Sequence, residues 1–216
     1  MKVVSVNVSL PKEIVHEGKA VLSGIFKDPV GGRVAVARLG LAGDGQADLE
    51  VHGGVDKAVY AYPHEHYPHW QQELGRSDLP FGQLGENLTT EGLLEEELRI
   101  GDVLRVGTVV LEVSQPRVPC FKLGIKMGRS DFVKMFLGSL RTGFYLRVIE
   151  EGELAADDSL ERVSSDPSSL TVRDVCRLAY FDRSDLDGAA RAAALEKLER
   201  GWREKFEKRL AAAQRG

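Results

Sequence analysis

The sequence predicts a mainly β architecture, a sandwich or barrel with short helical insertions, followed by a small three-helix unit. Three observations carry this. Up to about Val163 the chain is a series of short apolar or alternating runs broken by glycine. The polar, proline-containing segment SSDPSS, Ser164 to Ser169, then reads as a linker. Beyond it glycine is rare, alanine, leucine, arginine and glutamate dominate, and apolar residues recur at helical spacing. Many short strands with frequent turns fit a closed or doubled sheet better than a βαβ array. The expected units are residues 1–163 and 164–216.

Val3 to Val8 alternates as a strand should, and Val21 to Phe26, Arg33 to Ala37 and Ala58 to Tyr62 are short apolar runs. Val103 to Val106 and Val109 to Val113 flank Gly107-Thr108, which predicts a two-residue hairpin because glycine readily takes positive φ. Thr142 to Ile149 closes the strand series. Helices are expected near Tyr67 to Leu74 and across Phe121 to Leu137. In the last unit they are expected over Thr171 to Leu178, Asp187 to Leu195 and Gly201 to Ala213. Leu170, Val172, Val175 and Leu178 form one apolar stripe, and Trp202, Phe206 and Leu210 another. Ser169 or Thr171 is placed to cap the first of these helices.

At 216 residues the chain holds one sizeable domain plus a small appendage. A net charge of −4 argues against a constitutive nucleic-acid binder, which would carry a basic surplus. The terminal unit from Ser165 onward has 11 Lys and Arg against 9 Asp and Glu. That mixed surface is poor footing for a phosphate backbone, so a DNA-binding three-helix reading ranks last and a docking bundle ranks above it. The start, MKVVSVNVSL, runs directly into a strand-like pattern without an apolar signal core, and no segment has the length of a membrane span. A cytoplasmic protein without stable membrane or nucleic-acid binding is expected. Its two cysteines, Cys120 and Cys176, are then not expected to form a structural disulfide.

The most informative stretch is QPRVPCFKL, Gln115 to Leu123. Pro116 and Pro119 stiffen the approach to Cys120, and Arg117 and Lys122 place positive charge on both sides of it. Cations favour the thiolate, the form that attacks electrophiles or binds metals. On local chemistry alone this reading stands level with that of a cysteine buried as a small hydrophobe. Two further loops are rich in polar groups. GDGQADLEVHGGVDK, Gly43 to Lys57, holds His52, the pair Gly53-Gly54, Asp56 and Lys57; its glycines let backbone N–H groups approach an anion. FGQLGENLTT, Phe81 to Thr90, holds Gly85, Glu86 and Asn87. Each alone is an ordinary turn. Arg141 is either an anion ligand or a surface charge. His64, His66 and His69 do not share a helical face and Pro68 interrupts them, so solvent-facing or capping roles are expected rather than a metal site. Tyr67 and Trp70 read as core anchors, and Cys176, on an apolar helical stripe, as packing.

Taken together and in order, the loops carry more. GDGQADLEVHGGVDKAVYAYPHEHYPHW, then FGQLGENLTTEGL, then IGD (Ile100 to Asp102), then SQPRVPCFKL, resemble the MOSC family, and more narrowly its YiiM-like group. The resemblance covers about Val3 to Val163, and the terminal helices resemble the three-helix domain of that group. One departure is Gln83-Leu84, which stands between Phe81-Gly82 and Gly85-Glu86-Asn87. The resemblance implies a MOSC-type β-barrel that binds the molybdenum cofactor, with Cys120 at the position whose sulfur coordinates the metal. It implies reduction of N-hydroxylated compounds such as N-hydroxylated purine base analogues.

The residues supply matching chemistry. Molybdenum favours a soft sulfur donor, which Cys120 offers. The cofactor's phosphate needs cations, for which Arg117, Lys122, Lys57 and Arg141 are candidates. Gly53, Gly54, Asp56, Gly85, Glu86 and Asn87 are the candidates for its backbone approach and polar ring. His52 is the candidate proton donor, with a hydrogen bond that pins the glycine turn as its alternative role. No iron–sulfur cysteine cluster and no dinucleotide fingerprint are present. Electrons are therefore expected from a separate reductase, with the three helices as a docking surface. A homodimer is left open. The competing readings are a cofactor or sulfur carrier without turnover, and a metal-independent hydrolase or transferase using Cys120 with His52.

Overall fold

The computed structural model describes residues 1–47 and 53–215, so His52 lies outside the described residues. In chain order the strands are β1 (Lys2–Val8), β2 (Lys12–His16), β3 (Lys19–Ser23), β4 (Asp28–Pro29), β5 (Val34–Ala37) and β6 (Gly40–Leu41). They continue with β7 (Val59–Pro63), β8 (Leu88–Glu91), β9 (Val103–Val106), β10 (Val109–Pro116), β11 (Phe144–Glu150), β12 (Gly152–Leu154) and β13 (Leu160–Ser164). The helices are α1 (Tyr67–Leu74), α2 (Phe121–Met127), α3 (Phe132–Gly138), α4 (Val172–Tyr180), α5 (Leu186–Ala193) and α6 (Arg200–Ala213).

Strand β7 explains the layering. Side chains alternate across a strand, and every residue of β7 is buried, so both faces of the sheet are covered here. Val59 and Ala61 join the larger core, which runs from Val3 and Val6 through β9–β11 to Val175, Trp202 and Phe206 of the terminal helices. Tyr60 and Tyr62 face the other way, into an aromatic layer with Tyr67, Trp70, Phe132 and Phe136. One core therefore joins sheet and terminal helices, while α1–α3 cover the opposite face.

The expected barrel is not what forms. Eight strands make an open mixed sheet in the order β13-β9-β10-β11-β7-β8-β1-β4, flanked by small sheets β12-β5-β6 and β2-β3. β7 and β8 run parallel and the other pairs are antiparallel. The edge that would close a barrel is divided. The end of β1 pairs with β4, while its start meets the segment before β13 through Val3 N–H to Asp158 O (3.0 Å), Asp157 N–H to Val3 O (2.8 Å) and a single bridge, Lys2 to Ser159. Asp157, at φ 68°, turns the chain at that contact. The sheet curls back on itself, but no continuous ladder joins β1 to β13 among the described residues.

Several expectations meet their elements directly. The hairpin at Gly107-Thr108 forms, with Gly107 at φ 55° and Val106 opposite Val109. The single helix expected across Phe121 to Leu137 is two, because Gly128 takes the left-handed conformation (φ 68°) and its N–H closes α2 onto Gly124 and Ile125 carbonyls. Thr171 caps α4 by accepting from Asp174 N–H. β2, β4, β6, β8, β12 and β13 have no counterpart among the expected strands. They are short segments of two to five residues whose pairing depends on neighbours rather than on their own pattern. Among the described residues no helix is long and apolar enough to cross a membrane.

Candidate functional site

Loops from five parts of the chain converge at one end of the sheet. They are Ser23–Lys27 after β3, Asp44–Ala47 after β6, Lys57-Ala58 before β7, Gly85 with Asn87 before β8, and Arg117–Lys122 between β10 and α2. Tyr60 of β7 and Tyr145 of β11 are register partners there, with ring centroids 5.3 Å apart.

Cys120 is the half-buried residue just before α2, in extended conformation (φ −118°, ψ 173°), and its side chain caps nothing. It lines two cavities. The first is the loop cavity just described. The second, about 350 Å³, lies between the β unit and the terminal helices, bounded by Gln115, Pro119, Tyr180, Trp202 and Lys205. Lys57, Val118, Cys120 and Tyr145 line both.

Arg117 is 5% exposed and carries its charge beneath the first cavity. Its guanidinium lies 5.1 Å from the Tyr60 ring and 5.3 Å from the Phe136 ring, a cation–π arrangement. Burial works against the charge, but Tyr60, Tyr145 and Cys120 outweigh it and hold the guanidinium pKa above its ordinary value. Nη1 of this arginine has no hydrogen-bond partner among the described residues. An unsatisfied buried donor on a cation is costly, which points to an acceptor the chain itself does not supply.

Lys27 and Asp44 form a close ion pair with both side chains 8% exposed, and burial lowers the Lys27 pKa against the pull of Asp44. Asp44 also accepts from Ser9 N–H and Asn87 Nδ2, both at 2.9 Å. Lys126 donates to the Ile25 carbonyl at 2.8 Å and the Gly82 carbonyl at 2.5 Å, and burial pulls its pKa down to about 8. Lys122 donates to the Leu22 carbonyl at 2.9 Å. The positive charge expected around Cys120 is thus supplemented by Lys27, which lines the same cavity and which sequence reasoning passed over because it is an isolated lysine 93 positions earlier in the chain.

The structure gathers Cys120, Arg117, Lys122, Lys57, Gly85 and Asn87 and sets the other candidates apart. Glu86 is fully buried; its carboxylate accepts from Tyr67 hydroxyl, Gly82 N–H (2.9 Å), Leu84 N–H (3.0 Å) and Thr89 hydroxyl (3.0 Å). Glu86 therefore organises its loop and has no face toward a ligand. Asn87 is committed as well: it accepts from Tyr60 N–H at 3.0 Å and donates to Asp44 and the Asn7 carbonyl. Asp56 turns to Arg147 at 2.7 Å. Gly53 precedes a 3₁₀ turn that starts after Gly54 (φ 94°), whose N–H donates to Gln46 Oε1 at 3.0 Å. That glycine pair shapes the turn and does not line the cavity. Arg141 lies beside His69, and its carbonyl accepts from the Tyr62 hydroxyl.

The three histidines also part. His66 is buried, not solvent-facing, with Nε2 2.7 Å from Glu95, whose other oxygen accepts from Gly143 N–H at 2.7 Å. His64 packs on Tyr67 and Phe81, and His69 on Trp70. Among the described residues no group of three His, Cys, Asp or Glu side chains is placed to hold a metal ion. A lone cysteine sulfur suits a metal whose remaining positions are filled by an organic ligand, and Arg117 supplies an unmatched donor for an anionic group nearby. The residues present fit a metal-bearing anionic cofactor.

Residues 48–161, just over half of the chain, match the MOSC domain. The chain belongs to the MOSC family. Its MOSC domain is followed by a match to the YiiM-like, 3-alpha helix domain over residues 170–213. Protein YiiM of Escherichia coli strain K12 is 37% identical over 195 residues, covering 89% of this chain and 86% of that protein. A protein named "Reductase" from Gibberella moniliformis is 37% identical over 166 residues, covering 74% of this chain and 29% of that longer protein. The crystal structure of YiiM from Geobacillus stearothermophilus superimposes with a TM-score of 0.83 at 35% identity, covering 97% of this chain and 98% of that one. MOSC domains are associated with molybdenum-cofactor binding, and Cys120 in this MOSC domain stands where its loop cavity meets the terminal helices.

Proposed function

We propose that this MOSC protein is a molybdenum-cofactor-dependent reductase of N-hydroxylated compounds that draws its electrons from a separate reductase. The observation that carries the reading is Cys120 at the meeting of two cavities, with buried Arg117 below it and one guanidinium nitrogen lacking a partner. The family and the fungal relative named a reductase support the same class of chemistry.

Cys120 would ligate the metal through sulfur, while Arg117, Lys122 and Lys57 would hold the anionic tail of the cofactor. When bound, the cofactor would supply the two electrons that reduce the N–OH group. The overall change is R–NHOH plus two electrons and two protons giving R–NH₂ and water. The chain's part is to orient the substrate and hold protons. Tyr145 lines both cavities, and burial raises its pKa, so its phenol stays a hydrogen-bond donor at neutral pH. Val118 and Pro119 narrow the approach to the sulfur from the interdomain side.

The test uses protein from a molybdenum-competent host, with elemental analysis for molybdenum and a reduced viologen dye as donor to 6-hydroxylaminopurine. Cys120→Ser keeps the fold, since the exchange is nearly isosteric, and loses both molybdenum and dye-coupled reduction. Full activity in that variant refutes the ligand role. Loaded protein that never consumes the N-hydroxylated base shows a carrier instead. Activity that survives withdrawal of molybdenum shows a cysteine enzyme of another kind.

A further inference from the structure

Glu95, in the loop between β8 and β9, is set apart from both Cys120 cavities and is 1% exposed. A carboxylate so buried must be hydrogen-bonded. Its Oε2 lies 2.7 Å from His66 Nε2, and its Oε1 accepts from Gly143 N–H at 2.7 Å. The first turn of α4 holds the same residue from behind, with Arg173 N–H donating to the Glu95 carbonyl at 3.0 Å. An Nε2–H on His66 serves in the neutral or the charged ring, so the arrangement does not depend on a charge there.

The segment that Glu95 grips supports the floor of the first cavity. Each carbonyl from Arg141 to Gly143 is an acceptor: Arg141 from the Tyr62 hydroxyl at 3.1 Å, Thr142 from the Tyr60 hydroxyl at 2.8 Å, and Gly143 from Arg117 N–H at 3.2 Å. The segment has little room to shift. Gly143 takes φ 68°, and a Cβ there would lie 2.5 Å from the Ala61 carbonyl oxygen and 2.8 and 2.9 Å from the Tyr60 and Tyr62 rings.

A single peptide unit joins the two sides. The Gly143 N–H that donates to Glu95 and the Thr142 carbonyl that receives the Tyr60 hydroxyl belong to the same amide. A carboxylate on the N–H strengthens the carbonyl as an acceptor, because hydrogen bonds in series polarise one another. A phenol that donates more strongly presents a more electron-rich ring, and such a ring attracts a cation more firmly. The Tyr60 ring is the one that lies 5.1 Å from the Arg117 guanidinium and 5.3 Å from the Tyr145 ring.

We infer that Glu95, held by His66, is a positioning residue for Arg117: through the 142–143 amide and Tyr60 it fixes the buried guanidinium whose unpartnered Nη1 serves an anion in the cavity. The inference rests on the reading of Arg117 as an anion holder and does not need the reductase chemistry.

Glu95→Gln removes the charge and keeps the shape, since the amide oxygen still accepts from Gly143 N–H and the amide nitrogen reaches the His66 ring. Two readouts on cofactor-free, full-length protein need no turnover: the Gly143 amide proton shift by NMR, and calorimetric titration with inorganic phosphate. In wild type the Gly143 proton lies far downfield, as a charge-assisted bond requires, and it moves upfield in Glu95→Gln. Phosphate binding weakens about tenfold, the low end of what removing an outer hydrogen-bond partner costs at a metal site. Arg117→Met removes most of the phosphate affinity, which places the probe at this guanidinium. His66→Gln keeps a donor toward Glu95 and stays close to wild type in both readouts, whereas His66→Leu follows Glu95→Gln. Thermal melts matching wild type remove unfolding as the cause; if His66→Leu melts far lower, the two glutamine variants carry the test.

A purely structural Glu95 would change the melt and leave both readouts of the folded variant alone. Wild-type phosphate affinity in Glu95→Gln overturns the inference, as does phosphate binding that is absent in wild type or survives Arg117→Met. If both readouts move as stated but loaded protein reduces no N–OH compound, the positioning role stands and the reductase reading falls. If loaded protein reduces such compounds and Glu95→Gln does so with wild-type KM, kcat and phosphate affinity, the reverse holds.

Discussion

Trp202 and Gln115, separated by 87 positions in sequence, share a buried hydrogen bond of 2.9 Å that ties α6 to the end of β10. The same Gln115 donates through Nε2 to the Asp56 carbonyl at 3.3 Å, and Arg117 follows two residues later. Strand, glycine-loop turn and terminal helix are therefore positioned by one side chain. Gln115→Ala leaves the buried indole N–H without an acceptor and should cost about 1–3 kcal/mol of unfolding free energy. Trp202→Phe removes donor and bond together. A denaturant-unfolding cycle over the two singles and the double measures the coupling, and fully additive losses would show that the bond does not tie the units.

Arg117→Met should lower function without lowering stability. A buried charge without a carboxylate partner gains little for the fold, and an apolar side chain of similar size is often neutral or stabilising. The unloaded variant is expected to melt within about 2 °C of wild type or above it, on the same ground of near-neutral replacement. Its molybdenum content should fall about 10–100-fold, the range found when groups supporting a metal site are removed. A large drop in melting temperature with normal metal content would make Arg117 a structural residue.

The two thiols should separate by reactivity. Cys176 is 1% exposed, and burial raises its pKa to about 12, so it stays a thiol at neutral pH. Cys120 opens onto two cavities. Brief treatment of unloaded native protein with iodoacetamide is expected to give a single adduct by intact mass, mapping to Cys120, and a second only after unfolding. Cys176→Ser should leave N-hydroxyl reduction largely unchanged. Modification of Cys176 in the folded protein would mean that its layer opens readily.

Lys126 gives a pH signature. Its folded pKa of about 8 lies below the ordinary 10.5, chiefly through burial. Below about pH 8 the buried ammonium is charged in both folded and unfolded chains, and the folded state bears the desolvation cost. As pH rises toward 10.5 the folded state binds fewer protons than the unfolded one, so this group's contribution to stability increases with pH. The full span corresponds to about 3 kcal/mol. Urea unfolding of wild type and Lys126→Met at several pH values isolates it, because Cys176 and the buried tyrosines titrate alike in both. The wild-type advantage should grow from about pH 7 to about pH 10; a constant difference would mean that the ammonium is hydrated.

Local chemistry was legible in the chain and arrangement was not. The hairpin at Gly107, the cap at Thr171, and the apolar stripes of α4 and α6 follow from φ preference and periodicity within a few residues. The setting of Cys120 beside Arg117 was visible too, because prolines and cations flank the cysteine over nine residues. The internal hydrogen bonds of Glu86 and Asn87 were hidden for the same local reason. A carboxylate and an amide after a glycine look like ligands until the fold surrounds them with Tyr67, Gly82, Leu84, Tyr60 and Asp44, which consume their hydrogen-bonding capacity. Lys27, Tyr145, Tyr180 and Lys205 carried no signal of their own, since each acquires its meaning from partners brought near by sheet order and helix docking. Tyr145, for instance, meets Tyr60 only because β11 pairs with β7.

By itself the sequence determined the longer strands and the terminal helices, which cysteine has cations beside it in the chain, and the family resemblance written in the order of its loops. The tertiary structure alone decided that the sheet stays open, that the terminal helices wall one of the two cavities at Cys120, and which polar side chains face a cavity. The physical reason is that burial and hydrogen-bond satisfaction are properties of neighbours in space, and those neighbours are tens of residues away along the chain.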